Sequence, residues 1–165
     1  MKIAIAFAVF LGTLHAQNNL TAAAQRYFTS VRKNLESSAD AMPAEKFGYR
    51  LTEGQMTFAE WLIHSAQRNY ADCAMLKGES TPDAFQTGNF TSKADVSKVL
   101  KDSFAYCAAA LEHADEQKIL ASPQMTNALL HIVIHNNEIY GNIAGYLRSS
   151  GIVPPSTAGR GQNKK

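Results

Sequence analysis

Two cysteines, one tryptophan and five prolines are all that the 165 residues contain of those types. The two cysteines, Cys73 and Cys107, form no C-x-x-C pair, which excludes a dithiol redox motif. Proline and glycine are too few, and hydrophobic residues at 45% too many, for a disordered or collagen-like chain. Basic residues number 16 against 14 acidic, and no basic block occurs outside the last six residues, so the electrostatic footprint of a nucleic-acid binder is missing. No Gly-rich phosphate loop is present, since Gly159-Arg160-Gly161 lacks a strand–helix setting. There is no G-x-S-x-G, and no Ser or Cys with an evident His partner. No segment alternates with period two between turn signals, which argues against strands.

What is present begins with an apolar run from Ile3 to Leu11 after Lys2, followed by Gly12-Thr13 and a small residue at Ala16. Residues 1–16 have the layout of a secretory signal peptide, too short to span a bilayer. The expected product is exported, periplasmic or secreted, with no stable membrane insertion once the leader is removed. Losing Met1–Ala16 removes Lys2 and leaves 15 basic and 14 acidic residues. In an oxidising compartment Cys73 and Cys107 are candidates for a disulfide; in a reducing one they would be buried thiols, and spacing leaves both open.

The remainder divides into four helical blocks. Leu20, Ala24, Tyr27, Phe28, Val31 and Leu35 fall at helical spacing, with Asn19 or Thr21 placed to cap and Met42-Pro43 to stop. The second block starts near Met56-Thr57 and ends at Lys77 before Gly78. Ser92-x-x-Asp95 is a capping box opening the third, whose stripe runs Val96, Val99, Leu100, Ser103, Phe104, Cys107, Leu111. Ser122-Pro123 opens the fourth, and Gly151 with Pro154-Pro155 closes it. Four amphipathic helices imply an all-α four-helix bundle over residues 17–155, with a loose polar tail at 156–165.

Chemistry narrows to histidines. His131 and His135 lie four apart on the last helix and share a face, and His64 sits on the second. Three neutral imidazoles from two facing helices make a first shell for Zn²⁺ or Ni²⁺ with a position left for water. Glu138 or Glu60 would then serve as general base. The same residues also fit a wet helix face, since Gln124, Asn127, His131, His135, Glu138 and Asn142 form one polar line. His113, at the end of the third helix, reads as solvated. Trp61, Phe58, Tyr140 and Tyr146 suit packing better than cofactor contact.

The stretch FGYRLTEGQMTFAEWLIHSAQRNYADCAMLKGE resembles the region of DinB-like proteins where a connector leads into a histidine-bearing helix. LLHIVIHNNEIYGNIAGYLRSSGIVPPS resembles that superfamily's last helix and exit, and SKADVSKVLKDSFAYCAAAL its third. The resemblance covers residues 20–156 and implies a long crossover between the second and third helices. It further implies a divalent metal held by three histidines, in a hydrolase or transferase acting on a small molecule. In that register the metal histidines fall on His64, His135 and position 139, where this chain has Ile139. His131 or Glu138 would replace the missing donor, or the site keeps two histidines. The alternative is a non-catalytic exported bundle that binds or scaffolds through an apolar groove, with a homodimer face as one place for it.

Overall fold

The computed structural model describes residues 20–83 and 90–158; the expected leader at 1–16, the cap position Asn19 and residues 159–165 of the tail lie outside them. Among the described residues every regular element is helical. These are α1 (Leu20–Ala41), α2 (Phe58–Lys77), α3 (Lys93–Glu112), α4 (Glu116–Ala121), α5 (Pro123–Ser149) and α6 (Pro155–Ala158), with one 3₁₀ turn at Ala44–Lys46. No helix among the described residues is long and apolar enough to cross a membrane.

Local chemistry sets the ends of these helices. The Thr57 hydroxyl accepts from the Glu60 N–H at 3.1 Å, and the Glu60 carboxylate accepts from the Thr57 N–H at 2.6 Å, a reciprocal cap. Ser92 and Asp95 repeat the device at α3, and the Ser122 hydroxyl caps α5 ahead of Pro123. Gly78 and Gly151 end α2 and α5 at φ of 71° and 77°, where a side chain would be strained.

The four long helices enclose one core. α2 packs on α3 and α5, and α1 packs on α5 and α3, giving the order α1, α3, α2, α5 around the axis. Phe28, Leu35, Phe58, Leu62, Leu100, Phe104, Leu129, Ile132, Ile143 and Tyr146 are buried there. Each such side chain stabilises the fold by roughly 1.5–3 kcal/mol relative to exposure. On α5 the buried face is Ala128, Leu129, Ile132, Asn136, Ile139 and Ile143, while Leu130 and Ile134 point outward.

Cross-helix contacts fix the directions. Asn69 meets Ser103 and Cys73 meets Cys107, so α2 and α3 run the same way. Trp61 meets Tyr146, Ser65 meets Asn136 and Asp72 meets His131, so α5 runs against α2. Gln25 donates to the Leu111 carbonyl and Lys93 to the Asp40 and Met42 carbonyls, so α1 runs against α3. Cys73 and Cys107 are joined as a disulfide, with Cα atoms 5.3 Å apart, which settles the alternative left open by their spacing.

Two short helices differ from the sequence expectation. α4 is capped by Asp115 and anchored by Glu116, which accepts from the Thr21 N–H and hydroxyl at 2.9 and 2.8 Å. Thr21 is thereby a cross-helix donor. The polar tail begins later than 156, because Tyr140 donates to the Ser156 hydroxyl and accepts the Ser156 N–H, holding α6 on the bundle.

Candidate metal centre

Antiparallel packing of α2 on α5 brings two fourth-residue repeats face to face. α2 contributes His64, Arg68 and Asp72; α5 contributes His131 and His135, with Ile139 one turn further. The His64 and His135 Nε2 atoms lie 3.0 Å apart, with the rings nearly perpendicular at 83°. His135 Nδ1 faces a Glu138 oxygen at 3.4 Å. If that nitrogen carries the proton, His135 Nε2 presents a lone pair towards His64. Trp61 lies edge-on to the His64 ring, and its Nε1–H donates to the Tyr146 hydroxyl at 3.3 Å. Burial, foremost, and then the neighbouring His135, Arg68 and His131 charges hold the His64 pKa below the usual imidazole range. The neutral form, which offers a lone pair, is favoured.

His131 has a different partner. Its Nδ1 lies 2.7 Å from an oxygen of Asp72, whose other oxygen accepts from Arg68 at 3.0 Å. The His131 ring stacks on that of His135, centroids 4.6 Å apart and planes within 18°. An imidazole lone pair lies in the plane of its ring, so two stacked, near-parallel rings do not aim at one atom. Of the three histidines expected at a shared centre, the structure brings His64 and His135 together and sets His131 beside them.

The remaining candidates are placed as follows. Ile139 is fully buried and supplies no donor. Glu138 is largely exposed and touches His135 on the side away from His64. The Glu60 carboxylate is committed to the Thr57 cap and to Arg50 at 3.7 Å. His113 is the exposed cap residue of α3. Among the described residues no group of three or more His, Cys, Asp or Glu side chains is arranged to hold a metal ion. The structure brings two imidazole nitrogens together, one from α2 and one from α5.

Three neighbours escaped sequence reasoning. Asp72, 7% exposed, and Arg68 continue the repeat begun at His64, a signal that was available. Asn136 lies beneath the histidines, accepting from Ser65 at 2.6 Å and donating to Asn69 at 2.7 Å, while Asn69 donates to Ser103 at 3.1 Å. This buried string ties α5 through α2 to α3, and its members satisfy one another's polar groups. Comparison with protein-family models finds no match to the chain, and neither does comparison with curated proteins.

Proposed function

We propose that the protein is a DinB-like helical bundle that binds a divalent metal, Zn²⁺ or Ni²⁺, through His64 and His135, and works in an oxidising compartment outside the cytoplasm. One observation carries the reading: two imidazoles from different helices present Nε2 atoms 3.0 Å apart, a spacing that suits neighbouring ligands of one ion at about 2.0–2.1 Å each. Contact of His135 Nδ1 with a carboxylate supports it, because ligating histidines commonly donate their second N–H to such a group. Glu138 is then the carboxylate partner of His135 Nδ1. The parallel course of α2 and α3 supports the DinB-like crossover, since the chain must return along the bundle between Lys77 and Lys93. The disulfide supports export.

The chemistry such an ion would supply, if bound, is activation of a water or substrate thiolate for hydrolase or transferase reactions on a small molecule. His64 and His135 would hold it, and Trp61 closes one side of His64. Two protein donors bind Zn²⁺ more weakly than three, so the ion would exchange. The second reading is a metal-free exported bundle acting in binding or scaffolding. Buried Ile139 favours it, because it stands where the resemblance places a donor. There the two Nε2 atoms share a proton instead.

Titration calorimetry of residues 17–165 with Zn²⁺ and with Ni²⁺ separates the two. The metal reading expects about one ion per chain, a melting temperature that rises with the ion, and loss of both effects in His64→Ala and His135→Ala. No uptake of either ion, or uptake unchanged in both variants, overturns it.

A further inference from the structure

A histidine ring turns about two side-chain torsions, the second of them broad, so something must hold the plane of His135 for its Nε2 to meet that of His64. Glu138 is a weak restraint, because its carboxylate is 72% exposed and sits 3.4 Å from Nδ1. The broad contact is the His131 ring, stacked against one face. His131 is itself partly exposed, and the polar group that fixes its orientation is Asp72, at 2.7 Å. Asp72 is buried and held in turn by Arg68 at 3.0 Å. A contact path thus runs from α2 through α5 and back to α2: Arg68, Asp72, His131, His135, His64.

We infer that Asp72 is a positioning residue for the His64–His135 pair, acting through the His131 ring. The inference deepens the metal-binding reading and shares its site, but its first readout needs no metal. A buried carboxylate taking the Nδ1–H of His131 locks that ring in one tautomer and one plane. The locked ring forms a flat wall against which His135 rests. Remove the carboxylate and His131 is free to turn, the wall is lost, and His135 samples several orientations. Asn in place of Asp72 keeps an oxygen able to accept the same N–H, so it restores the wall without the charge.

The test is ¹⁵N-detected imidazole NMR of the metal-free chain at pH 8, followed by titration with Ni²⁺. In the native protein His131 and His135 are each expected to give one Nδ1–H signature. Asp72→Ala is expected to convert both to averaged or multiple signals and to raise the Ni²⁺ dissociation constant by about tenfold, the scale of lost outer-shell support. Asp72→Asn is expected to keep the native His135 signature. Should Asp72→Ala fail to fold, His131→Ala removes the same wall from a partly exposed position and must disturb His135 equally. A native His135 signature in Asp72→Ala, or in His131→Ala, overturns the inference. If native protein takes up no Ni²⁺ but the His135 signals change as described, the metal reading falls and the positioning role stands. Tight Ni²⁺ binding with unchanged His135 signals gives the reverse.

Discussion

At the scale of single residues, the sharpest test lies at position 139. Ile139 is fully buried one turn beyond His135, so its side chain shares the face of α5 that meets α2. Ile139→His removes aliphatic packing and places a polar ring in the core, at an expected cost of about 2 kcal/mol or more without metal. If the DinB-like register is right, Zn²⁺ then raises the melting temperature of the variant by more than it raises that of the native protein, because a third donor has been supplied. Paired melting curves with and without Zn²⁺ check this, and an equal or smaller gain in the variant counts against the register. The residues of the candidate centre were legible in the sequence, the His131/His135 pair through its spacing of four and His64 through the resemblance. Their pairing was not. Whether His131 points at an ion or at Asp72 depends on how α2 and α5 are rotated about their axes, which the spacing within either helix leaves free. Asp72 was hidden for the same reason, because a carboxylate one turn past Arg68 looks like half of a surface ion pair until the facing helix is in place.

At the scale of elements, the ends of the long helices were the most legible feature, because a cap is a contract between residues three apart. Thr57, Ser92, Ser122 and Gly78 were all recognisable and all sit where the helices begin or stop. The short α4 and α6 were not, since one or two turns carry no periodicity and are held by distant partners, Thr21 on Glu116 and Tyr140 on Ser156. The buried side of α5 was ambiguous too. Leu130 and Ile134 lie exposed while Asn136 is buried, its polar groups answered by Ser65 and Asn69. The α2 cap gives a prediction with a pH sign. Hydrogen bonds from the Thr57 backbone first, then from its side chain, with Arg50 contributing less, lower the Glu60 pKa below its ordinary 4.5. The folded state therefore keeps Glu60 ionised at pH values where the unfolded chain is already taking up a proton. Its contribution is present above about 4.5 and is lost as pH falls through the lowered folded value. Thr57→Ala should cost about 1 kcal/mol at pH 7. Glu60→Gln should flatten the acid limb of a melting-temperature profile between pH 6 and 3. An acid limb unchanged by Glu60→Gln would show that the carboxylate is not held in the cap.

At the scale of the whole molecule, direction is what the sequence left undecided. α2 has 20 residues and is about 30 Å long, and the residues between Lys77 and Lys93 can reach about 50 Å when extended. That connection is long enough for a return along the bundle and also long enough for a simple hairpin, so its length alone does not choose. The cross-helix pairs choose, and the disulfide fixes the choice covalently. Cys73 and Cys107 join two parallel helices and close a loop containing the whole connection. In the chain-entropy treatment, closing a loop with a sequence separation of 34 removes roughly 4 kcal/mol of unfolded-state freedom. That corresponds to a fall of about 10 °C in melting temperature when the bond is absent, for a domain of this size. Both cysteines are fully buried, so a reductant reaches the bond chiefly through unfolding. Reductant added to native protein should therefore leave few free thiols at 25 °C, while the same reductant during guanidinium titration should move the unfolding midpoint to lower denaturant. Two thiols titrating in denatured protein before any reductant is added, together with unfolding curves that coincide with and without it, would show that the parallel pair is held by packing alone.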